Sequence, residues 1–259
     1  MRSTRLAALV TGLTLLGAPL AASAEGLPLQ FSERPLTLTE GTLTVDAYLS
    51  YFKIADIDLG IGTLEVDPII SLIAGVDYGV TDDLEVGVVA VPLVLSPDTE
   101  YGNPYLHARY RFLKTAVEVA GHVGITVPVQ DGSDFGLDLG VPVLFGLTNT
   151  TRLTSGVFLG LEFGDETATA LGIPLELAVN LSPQFFIFAK SGIYLPDFDL
   201  DFLYMPLGIG AGYTLAAGPN KPLADIYAGF TFANFINGSG DTISTDIFEL
   251  RLGALVHFD

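Results

Sequence analysis

After residue 25 the chain is rich in apolar residues, yet it never strings together the ~18 that a membrane helix needs. It alternates instead. From Phe248 every second residue is apolar: Phe248, Leu250, Leu252, Ala254, Val256 and Phe258. The residues between are Glu249, Arg251, Gly253, Leu255 and His257. A period of two places the sets on opposite faces of one strand. Hydrophobic residues make up 49% of the chain and charged residues only 16%, which is too little charge to cover an ordinary soluble surface. Lipid can take the apolar faces, but it cannot satisfy the polar groups of an open sheet edge. A closed barrel is the remaining solution.

The same rhythm recurs along the chain. It predicts an all-β fold, a single closed up-and-down antiparallel transmembrane barrel of about 12 strands. The predicted strands are 41–52, 66–78, 84–95, 104–112, 115–129, 137–148, 151–163, 168–181, 184–195, 204–216, 224–235 and 246–258. Transmembrane strands need ~9–11 residues each, whereas strands of soluble sandwiches average ~5–6. One set of connections is tight: 79–83, Leu113-Lys114, Asn149-Thr150, Ser182-Pro183 and 217–223. The other set is acidic, with Asp56, Asp58 and Glu65; Asp98 and Glu100; Asp131 and Asp134; Asp165 and Glu166; Asp197, Asp199 and Asp201; and Asp241. An even strand count puts both termini on the tight-turn side. Five apolar-Pro-apolar triplets centre on Pro92, Pro128, Pro142, Pro174 and Pro206. Proline cannot donate to a ladder, so they are expected at bulges near the outer strand ends.

The N-terminus is basic at Arg2 and Arg5, apolar from 6 to 21, then Ala22-Ser23-Ala24. This is the pattern of a secretory signal peptide cut after Ala24. Residues 25–40 read as a periplasmic lead-in and 41–259 as the barrel. A formal charge of −19 argues against nucleic acid as a partner. Cysteine is absent, which fits an exported chain and decides little. Nothing in the sequence calls for a cofactor.

The spacing Arg251-x-Gly253-x-x-Val256-x-Phe258 resembles the C-terminal signal strand of bacterial outer-membrane β-barrels, with Asp259 following the aromatic. The turn and strand from Gly79 to Leu95 look like a hairpin of small outer-membrane transporter and porin-like families. The resemblance implies a bacterial outer-membrane location and contact with outer-membrane lipid. It also implies that the barrel-assembly machinery reads Arg251, Gly253, Val256 and Phe258, and that a small-molecule solute passes.

Nearly every charge within a predicted strand falls on the face opposite the apolar set. These candidate lumen residues are Arg109, Arg111, Arg152, Glu118, Glu162, Glu176, Lys190, Glu249, Arg251, His107 and His122. Asp46, Asp77, Glu85, Asp138 and His257 share that face. Facing lipid, an Arg or Lys would cost ~2–4 kcal/mol at the midplane, so the fold forces this segregation. Inner glycines at 87, 124, 140, 160, 208, 210 and 212 suggest room. Two arrangements stay open. One is a narrow pore with Arg109, Arg111 and Arg152 at a constriction, in a porin-like channel or transporter. The other is a structural barrel whose lumen is closed by paired charges. An outer-membrane enzyme such as a phospholipase needs a Ser held against a His, and none is evident, so no catalytic residue is nominated. No metal site is expected, because the alternating Asp loops lack the glycine and distal Glu of a calcium loop.

Overall fold

The computed structural model describes residues 26–55, 57–58, 63–130, 132–164, 167–238 and 243–258. The signal-peptide residues, Asp56, Asp131, Asp165, Glu166, Asp241 and Asp259 lie outside the described residues. Twelve long strands form the wall. They are β1 (Leu43–Ile54), β2 (Ile69–Thr81), β3 (Leu84–Ser96), β4 (Tyr105–Lys114), β5 (Val117–Thr126) and β6 (Phe135–Thr148). Then come β7 (Thr151–Phe163), β8 (Thr167–Asn180), β9 (Phe185–Pro196), β10 (Tyr204–Gly218), β11 (Lys221–Asn237) and β12 (Ile247–Phe258). From β2 to β12 each pairs antiparallel with its sequence neighbour, and β12 returns to β1 from Leu43↔Phe258 to Ile54↔Ile247. The ring closes where β1 meets β2. There Gly41 N donates to Gly79 O (2.8 Å) and Gly79 N donates to Thr42 O (3.1 Å). Only glycine fits at 79, since an added Cβ would stand 2.1 Å from Thr39 O.

The predicted strands match the observed ones within a few residues. β5 stops at Thr126, short of 129, because Pro128 ends the pairing. The ladder between β3 and β4 spans only Leu84–Val89 against Tyr105–Tyr110. Beyond it, β3 pairs with the short segment Glu100–Tyr101.

The prolines need a correction. Pro206 does sit at a register shift near the start of β10. Pro142 and Pro174 lie in mid-strand instead. The β5–β6 ladder jumps there from Val119↔Val143 to His122↔Gly140, and the β7–β8 ladder from Ser155↔Leu175 to Phe158↔Gly172. Each proline faces a glycine, Gly156 and Gly192. Serine hydroxyls occupy the idle carbonyls: Ser155 Oγ donates to Pro174 O and Ser191 Oγ to Pro206 O, both at 2.9 Å. The missing donors are thus tolerated within the wall rather than confined to the rim.

Burial follows the alternation. Leu250 and Leu252 are 47% and 59% exposed, while Asp77 and Glu85 are 0% and 1% exposed. The apolar face points out and the charged face in, as a lipid-embedded wall requires. Near the acidic-loop end, outward aromatics form a belt. Phe230 packs against Phe232 (4.7 Å between ring centres) and Phe248 (5.8 Å), and Phe135 against Phe163 (5.9 Å).

The inner glycines do not leave room. Gly140, Gly210, Gly212 and Gly253 stand directly across from Phe158, Phe188, Phe186 and Tyr227. An added Cβ would come within 2.1 to 2.5 Å of the facing ring in every case. Each glycine is the bed on which an inner ring lies, so the lumen is partly aromatic.

Candidate functional site

The lumen is occupied at its tight-turn end by the protein's own N-terminal segment. Residues 27–40 cross it as irregular backbone with a single 3-10 turn at Phe31–Glu33 and bends at 29–30 and 36–37. A chain without a ladder neighbour leaves its backbone N–H groups unsatisfied, and these need partners once buried. Side-chain oxygens of the wall and its turns supply them. Leu36 N donates to Glu118 Oε2 and Leu38 N to Glu85 Oε2, both at 2.8 Å. Ser32 N donates to Asn180 Oδ1 (2.8 Å), and Glu40 N to Asp82 Oδ1 (3.0 Å). Wall guanidiniums take the carbonyls. Arg109 donates to Leu36 O (2.9 Å), and Arg152 to Phe31 O (3.0 Å) and Arg34 O (3.4 Å). The Phe31 ring stacks on Phe186 at 4.3 Å, and the Arg152 guanidinium lies 3.9 Å from its centre. Leu36 packs against Ala120 and Leu144.

Arg34 is the anchor. It pairs bidentately with Asp225, through Oδ2 and through Oδ1 at 2.9 Å, and donates to Thr214 Oγ1 at 3.3 Å. Asp225 also accepts from Thr214 Oγ1 (2.6 Å) and faces His257 Nε2 (2.8 Å). His257 Nδ1 in turn lies 3.2 Å from Thr44 Oγ1. Arg34 and Asp225 are 6% and 2% exposed, so removing either would strand the other in the interior.

The sequence-predicted residues divide into groups. Arg109, Arg111, Arg152 and Glu118 do come together, but around the N-terminal segment rather than around open space. Arg111 holds Glu118 (2.9 Å) and Asp83 (3.3 Å), and Arg109 lies 3.4 Å from Glu85. Burial works to raise the Asp83 carboxyl in its turn. Lys114 and Arg111 together outweigh that and hold it below the usual carboxylate range. Glu176 stands between Lys190 (3.2 Å) and Arg152 (3.8 Å). Arg251 binds Glu249 (2.8 Å) and covers the Tyr48 ring at 4.5 Å, and Glu249 accepts from Ser50 Oγ at 2.5 Å. Glu162 sits apart near the outer end of β7, opposite Gly136 and Ala168. His107 and His122 lie one strand apart with ring centres 5.7 Å from each other, and Tyr105 Oη is 2.9 Å from His122 Nε2. Arg251 and Gly253 face inward, whereas Val256 and Phe258 alternate with them toward lipid. In the outer loops, Asp197 accepts from Thr169 N on β8 and Asp199 from Asp201 N in its own turn, both at 2.9 Å, so each carboxylate already holds a backbone N–H.

Sequence reasoning missed Arg34, Phe31, Thr214, Asn180 and Asp225. The available signal was Asp225 itself, an acid inside a strand between Ala224 and Ile226. Such a charge calls for a partner in the lumen, and the lead-in carries one arginine, Arg34. The hydroxyls found beside histidines are those of Thr44 and Tyr105. Neither is a serine, and neither lies on the lipid-facing rim.

A closed antiparallel ring with an apolar exterior and an interior lined by ionisable side chains is the architecture of a transmembrane β-barrel. No family model and no curated protein matches the sequence. Solved structures do match the fold. The COG4313 outer membrane channel from Pseudomonas putida F1 superposes with a TM-score of 0.59 at 13% identity, covering 92% of this chain and 100% of that one. A KdgM porin in complex with disordered oligogalacturonate gives 0.60 at 5% identity, covering 83% and 99%. A NanC porin gives 0.58 at 8% identity, covering 82% and 98%.

Proposed function

We propose that the protein is an outer-membrane, porin-like channel that passes a small solute through its lumen when residues 27–40 are displaced. The fold shared with the three solved barrels supports placement in a bacterial outer membrane. The observation that carries the reading is the attachment of the N-terminal segment. Its hydrogen bonds to the wall run to single side chains of β3, β4, β5, β7 and β11 rather than through a ladder, beside the Phe31 stack and the Leu36 contact. Polar ties to single side chains can be exchanged for water without opening the barrel. The inner arginines do not form a free basic stripe, since Arg109, Arg111, Arg152 and Arg251 all stand against carboxylates. The acidic oligosaccharide of the KdgM complex is therefore not the solute we assign. A modest neutral or zwitterionic solute suits a mouth whose charges are already paired.

The test is conductance of the refolded barrel in planar bilayers, together with swelling of liposomes in neutral sugars. Deleting residues 27–38 is expected to raise single-channel conductance several-fold over the full chain and to speed swelling. A deletion barrel that folds yet conducts no more than the full chain would overturn the proposal.

A further inference from the structure

We infer a binding seat for one divalent transition-metal cation in the lumen wall, formed by Asp77 on β2, Glu85 on β3 and His107 on β4. Their ligand atoms all lie within 4.8 Å of one another, the one such group among the described residues, and all three residues are buried. The ladders explain why they converge. Asp77 is in register with Gly87, and Gly87 with His107, so acid and imidazole flank a residue with no side chain. They lean over that gap until His107 Nε2 stands 3.0 Å from Asp77 Oδ1. A Cβ on Gly87 would fall 1.7 Å from Asp77 Oδ1 and 2.8 Å from His107 Nε2. Glu85 enters from two residues away on the same face of β3.

The seat has unspent donor capacity. Neither ring nitrogen of His107 makes a hydrogen bond, although the residue is only 7% exposed. The 3.0 Å approach to Asp77 therefore has the separation of an ion pair but not the direction of a hydrogen bond. Glu85 Oε1 also makes none, at 1% exposure, while its Oε2 accepts from Leu38 N. Orphaned polar atoms in the interior are costly, and a shared cation would satisfy them together. The 3.0 Å between His107 Nε2 and Asp77 Oδ1 is close to what one needs: two ligands about 2.1 Å from Zn2+ at a tetrahedral angle are about 3.4 Å apart. One imidazole and two carboxylates favour Zn2+, Co2+ or Ni2+ over Ca2+ or Mg2+, which prefer all-oxygen shells. Arg109, 3.4 Å from Glu85 Oε1, donates to Leu36 O and offsets part of the charge that the two carboxylates bring to the seat. Because Glu85 also holds Leu38, the seat borders the N-terminal segment.

The experiment uses the full-length refolded barrel in detergent, stripped with EDTA and titrated with Zn2+ or Co2+ alone. About one ion per chain is expected by elemental analysis, with a Co2+ visible spectrum showing nitrogen ligation. Outer-shell partners of metal ligands alone are worth about 10–100-fold in affinity, so Asp77→Asn or His107→Gln should weaken binding at least tenfold. Gly87→Ala should do the same by filling the gap. Asp199→Asn with Asp201→Asn, in the outer loop, should change nothing. No bound ion in the wild-type barrel would overturn the inference, whether or not the variants fold. So would binding that survives His107→Gln or disappears with the loop variant, since either places the ion on surface acids.

Discussion

Arg34 shows how one residue determines the state of the lumen. Buried ion pairs contribute little net stability, but breaking one by removing a partner costs about 3–5 kcal/mol, because a charge is left unpaired. Arg34→Ala would leave the Asp225 carboxylate facing only Thr214 and His257. The expected outcome is release of residues 27–40 before any unfolding of the wall, read as hydrogen-exchange or protease sensitivity confined to that segment. Asp225→Ala on top of Arg34→Ala should recover part of the loss, which distinguishes a stranded charge from mere loss of packing. Unchanged protection in Arg34→Ala would refute the anchor. At this scale the sequence was partly legible. Alternation assigns Arg109, Arg111, Arg152 and Glu118 to the face opposite the apolar set, since period two alone sets the face. It could not show that Arg109, Arg152 and Glu118 hold the backbone of residues 31–36. The backbone of residues 31–38 carries no periodic signal, and its contacts with wall side chains span from 47 residues of chain, Leu38 to Glu85, to 148, Ser32 to Asn180.

Among the elements, the paired glycines and rings bear most on the lumen. A glycine on an inner face reads as vacancy when its cross-strand neighbour is unknown. Register supplies the neighbour: Gly212 opposite Phe186, whose ring tip would lie 2.2 Å from an added Cβ. Gly121 instead has open space. Gly212→Ala is therefore expected to destabilise the barrel by about 1–3 kcal/mol, the usual scale of overpacking. Gly121→Ala should be close to neutral. Urea or heat unfolding followed by gel mobility would separate them, and equal effects would refute the packing account. The strands themselves were legible because each shows its own alternation and ends in turn residues. The mid-strand prolines were not. A missing donor is read as a boundary until the facing Gly156 or Gly192 and the compensating serines are known.

For the whole molecule, the decisive property is the division between a greasy exterior and an ionised interior. Leu252 lies at mid-height on β12 and is 59% exposed outward. Leu252→Arg should cost about 2–4 kcal/mol when the barrel folds into lipid bilayers. Leu252→Met should be nearly silent. An arginine tolerated there without loss would argue against a bilayer around that face. Strand number, closure and sidedness were all legible, since lipid enforces them on every strand alike. The state of the bore was not, because it depends on a stretch outside the repeating pattern. That stretch also dictates an order of events. Residues 27–40 precede β1, yet they end up encircled by a hoop whose final stave, β12, is made last and docks on β1. The leading end must therefore already be stowed when the hoop is drawn shut, or else be threaded in from below afterwards. A bulky fusion placed ahead of residue 26 should stall the first route and leave the second open, so the timing of occlusion during biogenesis can be read from how such fusions mature.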